Sequence, residues 1–313
     1  MKKFVKAALI STAAAAGICG AIGNLFVKGM LSKKGIRKLQ KGPGMLDEES
    51  LKVLHSSEES LESVEFYRQT RHREITAKSI DGKTLYALHY ENSSDIYVIF
   101  CHGFTGDPNT DNVFAKRYYD MGFNVILPYS RAHGKSEHDY CTMGYSERLD
   151  ILRWCEKIAG INPDAKIVLH GVSMGSATVM MATGENLPEN VRCCIADCGY
   201  TRLTELYMHM FGNNVFGKAL LNCANTFSKI KISFDFKKAS PVDFVAKSKT
   251  PTLFIHGDKD TFVPFPMHKQ LYDAASCEKE MLVVPGSPHA ISELVSPDLY
   301  WSTVSDFIAK HTK

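Results

Sequence analysis

The stretch Lys166-Ile167-Val168-Leu169-His170-Gly171-Val172-Ser173-Met174-Gly175-Ser176-Ala177 decides how the rest of the chain is read. An apolar run of strand length meets a serine with a glycine two residues to either side, and small residues at helical length follow. Strand, G-x-S-x-G, helix is the setting of a nucleophile elbow. The reason is steric. A serine on so tight a strand-to-helix turn takes strained backbone angles, and Gly171 and Gly175 let the two segments approach closely. The first N–H groups of the helix point toward the serine's surroundings and favour negative charge developing there. The motif alone is a frequent chance pattern. In this setting Ser173 reads as a nucleophile rather than a plain turn serine.

The same alternation of strand and helix extends outward on both sides. Strands are expected at Ile75–Ser79, Thr84–Tyr90, Ile96–Cys101, Asn124–Leu127, Lys166–His170, Val191–Ala196, Thr252–His256 and Met281–Val284. Asp81-Gly82 between the first two is a hairpin signal. Helices are expected at Asn112–Met121, Tyr145–Ala159, Met174–Gly184, Met267–Ala275 and Leu299–His311. The central strands are unbroken apolar runs, as in a sheet covered on both faces. The fold class is therefore α/β: an antiparallel start, then a doubly wound, mostly parallel eight-stranded sheet with helices on both faces. One interval, about 199–240, has many apolar residues and no clear strand. It reads either as ordinary core helices or as a small helical lid over the edge of the sheet where open α/β folds bind ligands.

A serine needs a base, and the base needs an orienting acid. In this topology the order is serine, acid, histidine, each after a later strand. The strand at 252–256 runs into Gly257-Asp258-Lys259-Asp260, and the strand at 281–284 runs into Pro285-Gly286-Ser287-Pro288-His289. His289 is the expected base. Asp258 and Asp260 both fit the acid, and either also suits a turn or a helix cap.

Charge separates the N-terminus from the body. Residues 1–41 carry nine Lys or Arg and no acid, whereas the other 272 hold 28 basic and 34 acidic residues. An acidic body excludes a nucleic-acid binder, which concentrates basic charge on its fold. Lys2, Lys3 and Lys6 precede an uncharged run, Ala7 to Val27, of about 31 Å as helix. The run is weakly apolar, and reads as an uncleaved anchor, as a signal peptide with small residues such as Ala21 and Gly23 at a cleavage site, or as a peripheral or soluble helix. A membrane-associated or secreted protein is expected, on a side the basic flanks do not decide. Residues 42–70 look like a linker running into an amphipathic helix, and residues 71–313 form the main domain. Eight cysteines lie beyond the run, several in strand-like segments where they read as buried thiols. No metal is expected: Cys193, Cys194 and Cys198 lack paired CxxC spacing, and no carboxylate pattern accompanies His133 and His138. No cofactor is expected either, since no glycine-rich phosphate loop follows a first strand.

These residues resemble the α/β-hydrolase superfamily over about 75–308. They are most similar to its membrane-associated or secreted bacterial serine hydrolases, near the Bem46-like and the lysophospholipase or monoacylglycerol-lipase-like groups. The resemblance implies that the acid is the second Asp of an H-G-x-x-D stretch, Asp260, which places Ser173, Asp260 and His289 in a triad. It assigns His102-Gly103-Phe104-Thr105-Gly106 to the oxyanion loop, with the backbone N–H groups of Phe104 and Met174 as the donor pair. His102 is then a structural loop residue. Arg131-Ala132-His133-Gly134-Lys135-Ser136 matches the family's R-x-x-G-x-S turn, although Tyr129 stands where members usually carry Asp. Glu147 and Asp150, in the first turn of the next helix, suit the helix dipole. The activity implied is cleavage of small carboxylic esters, acyl or lipid-like, with the membrane as partner through the N-terminal segment. The same triad also serves amide cleavage or acyl transfer, and a catalytically silent binding protein is the remaining alternative. Which residues bind substrate is not legible.

Overall fold

A computed structural model of the chain describes residues 17–42, 53, 57–108 and 112–313. Eight strands build one sheet: β1 (His72–Lys78), β2 (Thr84–Tyr90), β3 (Ile96–Cys101), β4 (Asn124–Pro128), β5 (Lys166–Val172), β6 (Val191–Asp197), β7 (Thr252–Gly257) and β8 (Lys279–Val284). Their spatial order is β1-β2-β4-β3-β5-β6-β7-β8. β1 pairs antiparallel with β2 through the Asp81-Gly82 turn, where Gly82 takes φ 78°. β2 is antiparallel to β4, and every pairing from β4 across to β8 is parallel. Parallel neighbours cannot be joined by a tight turn, so the connecting helices are driven onto the two faces.

Alternation along each strand sorts the core. Val98 and Phe100 pack toward helices Asn112–Asp120 and Pro297–His311, whereas Ile99 and Cys101 pack toward Glu147–Ile161 and Met174–Thr183. Cys193 and Cys194 divide between the faces in the same way. Burial pushes both thiols up, that of Cys193 to about 12, so they behave as small apolar side chains. The interval after β6 holds helices Leu203–Phe211 and Val215–Ile232 (the lid helices), the first of which brings Leu206, Tyr207 and Met210 to the same pocket as Ser173. The linker expected over 42–70 lies outside the described residues except at residues 42, 53 and 57–70. The helix it leads into spans Glu58–Gln69.

Residues 17–42 pack on the body of the fold. Residues 17–26 are helical, widen into the π-helical turn Val27–Leu31, and continue after Ser32 as helix Lys33–Gln40. Val27, Leu31 and Ile36 are fully buried in one cluster with the lid residues Leu203, Leu206 and Tyr207. Each such burial is worth roughly 1.5–3 kcal/mol. Cys19 is disulfide-bonded to Cys223 of the lid, so Cys223 leaves the set of free thiols. Among the described residues no helix is long and apolar enough to cross a membrane. Hydropathy along a chain records how apolar a segment is, and protein core and bilayer satisfy it alike. The first sixteen residues, with Lys2, Lys3 and Lys6, lie outside the described residues.

Candidate active site

The elbow forms as its sequence dictates. Ser173 sits between β5 and helix Met174–Thr183 with φ 55° and ψ −116°. Such a conformation costs about 1–3 kcal/mol and persists only where its surroundings hold it. They do here: the Ser173 amide donates to the Asp197 carbonyl at 2.9 Å. A Cβ on Gly175 would lie 1.9 Å from the Cys101 carbonyl oxygen, and one on Gly171 would lie 2.2 Å from that of Gly175. Both motif glycines are therefore required by close backbone approach.

Three loops at the C-terminal ends of β5, β7 and β8 converge. The Ser173 hydroxyl donates to His289 Nε2 at 2.8 Å, and His289 Nδ1 donates to Asp260 Oδ2 at 2.7 Å. Asp260 is held from its other side as well. Its Oδ1 accepts the amides of Phe262 and Val263 at 2.9 and 2.8 Å, and His256 Nε2 lies 3.1 Å from Oδ2. Burial works against ionisation of Asp260, yet His289 and His256 hold its carboxyl well below the usual carboxylate range. Asp258, the other candidate, is half-exposed and accepts the Gly286 amide at 2.7 Å, which ties the β7 loop to the β8 loop. The Cys198 sulfur lies within 4.8 Å of the ligand atoms of Asp260 and His289, whose imidazole and carboxylate already engage one another.

The loop after β3 stands beside the elbow. A Cβ on Gly103 would lie 3.7 Å from that of Ser173. Phe104 and Met174 both border the same pocket as Ser173, and among the described residues neither amide has an acceptor. His102 donates from Nδ1 to the Gly103 carbonyl at 2.7 Å and accepts the Ser130 amide at Nε2 at 3.1 Å. Burial, with His133 beside it, pushes His102 down to about 3, so it stays neutral and holds the loop in place. His133 braces the same loop, with Nε2 against the Phe104 carbonyl and Nδ1 at 2.8 Å from that of Arg131.

The R-x-x-G-x-S turn has a deeper role than its neighbouring charges suggested. Arg131 makes a two-pronged pair with buried Asp150 at 2.6 and 2.7 Å. Buried Glu147 accepts the amides of Thr142 and Gly144 and the Thr142 hydroxyl at 2.6–2.9 Å. Both acids lie in the first turn of helix Glu147–Ile161 as expected, and they are also buried anchors of the 131–144 loop, which places Met143 in the pocket.

The pocket is apolar. Phe104, Met143, Tyr200, Leu206, Met210 and Phe262 surround Ser173, and Met30 of the N-terminal segment completes the wall. Its free volume, ≈ 20 Å³, is little more than a water molecule needs. His256 and Met30 escaped the reading of the sequence, which placed His133 in the R-x-x-G-x-S turn but missed its brace on the Phe104 loop. The first element of H-G-x-x-D was a signal for His256, whereas nothing along the chain marks Met30.

The α/β-hydrolase fold family matches residues 96–242, and with this sheet, elbow and loop order the chain has the α/β-hydrolase fold. The chain is 26% identical to the uncharacterized protein YqkD of Bacillus subtilis over 214 residues, 67% of this chain and 70% of that protein. It is 23% identical to protein bem46 of Schizosaccharomyces pombe over 219 residues, 68% of this chain and 67% of that one. Among solved structures, the esterase Pf2001 of Pyrococcus furiosus superposes with a TM-score of 0.63 at 23% identity, covering 78% of this chain and 94% of that one. At that identity the likeness is one of fold.

Proposed function

We propose that the protein is a serine hydrolase that cleaves small carboxylic esters with apolar acyl groups. The observation that carries this reading is the unbroken chain Ser173–His289–Asp260, at 2.8 and 2.7 Å, opening on an apolar pocket. The esterase among the structural neighbours agrees with it. His289 Nε2 takes the Ser173 proton as Oγ attacks the ester carbonyl, and the Phe104 and Met174 N–H groups hold the oxyanion. Collapse expels the alcohol, which receives the proton from His289. Water, deprotonated by His289 in turn, attacks the acyl-enzyme and releases the acid. Asp260 holds the imidazole in the tautomer that accepts at Nε2 and stabilises the imidazolium.

A fluorophosphonate probe is expected to label the full chain but neither Ser173→Ala nor His289→Ala, and Ser173→Ala is expected to lose on the order of 10⁴- to 10⁶-fold in kcat. Near-wild-type turnover in Ser173→Ala overturns the mechanism. Absence of labelling in a folded wild type points to a binding protein. A chain-length series of nitrophenyl esters tests the acyl preference, and strict preference for acetyl contradicts it. Dipeptide substrates and added alcohol separate amide cleavage and acyl transfer from hydrolysis.

The ester is met at an anionic bilayer surface. Ile18, Ile22 and Leu25 form an exposed stripe at helical spacing, and Lys28, Lys34, Arg37, Lys38 and Lys41 are exposed after it. Apolar contact plus basic charge is the pattern of peripheral attachment. The full chain is expected to sediment with vesicles containing phosphatidylglycerol and to remain free with phosphatidylcholine alone. Equal recovery from both contradicts this part of the reading.

A further inference from the structure

Met30 borders the pocket of Ser173 although 143 positions separate them along the chain. The segment that carries it is fastened at several points. Cys19 is bonded to Cys223 of the lid, and at Gly23 a Cβ would fall 2.5 Å from the Cys223 carbonyl oxygen and from Phe227 Cβ, so the two helices touch backbone to backbone. Phe26 packs edge-on against Tyr207 and Phe211 of the lid. The Lys33 amide donates to the Asp139 carbonyl at 2.8 Å, and the Cys141 amide donates to that of Leu31 at 2.8 Å, so the chain on either side of Ser32 is hydrogen-bonded to the 139–141 loop. At the far end Gln40 Nε2 donates to the Gly106 carbonyl at 3.2 Å, within the loop that carries Phe104.

We propose that residues 17–42 are a substrate-facing wall of the pocket, and that Met30 is a specificity-determining residue limiting the length of acyl chain admitted. This rests on Ser173 being the nucleophile. The physical argument is one of room. With a free volume of ≈ 20 Å³, the pocket takes an acyl chain only as side chains in its wall withdraw. Met30 and Met210 are the unbranched, flexible ones from the segment and the lid. Each methylene that gains apolar surroundings is worth roughly a factor of four in affinity. A smaller residue at position 30 therefore favours long chains over short ones, and a larger residue does the reverse. A merely structural side chain would lower reactivity toward all chain lengths together.

The test is the ratio of second-order rates at which p-nitrophenyl octylphosphonate and ethylphosphonate modify the full chain. In this reaction Ser173 Oγ bonds phosphorus, p-nitrophenolate leaves, and the serine proton passes to His289. Because it reports the pocket and nucleophile, it holds whether the natural substrate is an ester or an amide. Met30→Ala is expected to raise the octyl-to-ethyl ratio at least fivefold, and Met30→Trp to lower it at least fivefold. The double variant Cys19→Ser/Cys223→Ser, which frees one end of the segment, is expected to raise it by a smaller factor. It also serves as the second route if Met30→Ala does not fold. Ratios within twofold of wild type in the folded variants overturn the proposal and leave the nucleophile standing. No modification of wild-type Ser173 by either reagent overturns the nucleophile reading, and this proposal with it.

Discussion

Asp197 and Asp260 are two buried carboxylates at the C-terminal edge of neighbouring strands, and their surroundings treat them oppositely. Asp260 meets two backbone amides and two imidazoles, and its carboxyl is held low despite burial. Asp197 accepts one hydrogen bond, from the Tyr300 hydroxyl at 3.0 Å, and its Oδ1 has no partner among the described residues. Burial raises its carboxyl to about 6, against which Tyr300 and the nearby histidines work only in part. The lesson is that the count of donors, and not burial or residue type, decides which carboxylate is a charged partner for an imidazole.

The most severe way to break this comparison is Asp260→Asn. It is expected to reduce kcat on the order of 10³- to 10⁴-fold while far-ultraviolet circular dichroism is unchanged, because the amide favours the wrong tautomer of His289. Retention of more than about a tenth of the wild-type rate would mean that Asp197 supplies the charge instead.

His256→Gln removes the second imidazole from Asp260. A fall on the order of tenfold in kcat, about 1.4 kcal/mol of barrier, is expected, with KM little changed because His256 does not border the pocket. An equal loss in KM would place its role in packing.

Asp197→Asn is expected to keep kcat within about threefold and to change the pH dependence of stability. The direction follows from linkage. The folded pKa of Asp197, about 6, lies above its ordinary 3.8, so the folded state holds the proton more tightly and stability from this group is lost as pH rises through that window. For Asp260 the sign is opposite: its stabilisation is present above 3.8 and is lost as pH falls through the folded value. Urea unfolding at pH 4 and pH 7 is therefore expected to show Asp197→Asn gaining on wild type by on the order of 2 kcal/mol at the higher pH. An identical difference at both pH values would show that Asp197 titrates normally. The smallest effect is expected for Asp258→Asn, within about twofold in kcat, since the amide oxygen still accepts from Gly286.

Much of the sheet was legible because its signals are local. Thr84–Tyr90 and Ile96–Cys101 match their expected bounds, and the other six strands differ by a few residues at their ends. Strand ends are where apolar runs pass into turns, and the extra residues Val172, Asp197 and Gly257 are the last strand residues before the loops at the C-terminal edge. The choice of Asp260 over Asp258 came from resemblance and not from spacing. The structure supplies the geometric difference: the carboxylate of Asp260 turns inward to two imidazoles, and that of Asp258 to a loop amide.

By itself the sequence determined what neighbouring residues decide together: the period-two and unbroken apolar strands, the Asp81-Gly82 turn, and an elbow that closes only with Gly171 and Gly175. It also determined that residues 1–41 are basic and the body acidic. Only the tertiary structure decided where residues 17–42 come to rest, that Cys19 pairs with Cys223 across 204 positions, and that Met30 borders the pocket of Ser173. An apolar segment carries no record along the chain of which apolar surface covers it, whereas a turn or an elbow is decided within a few bonds.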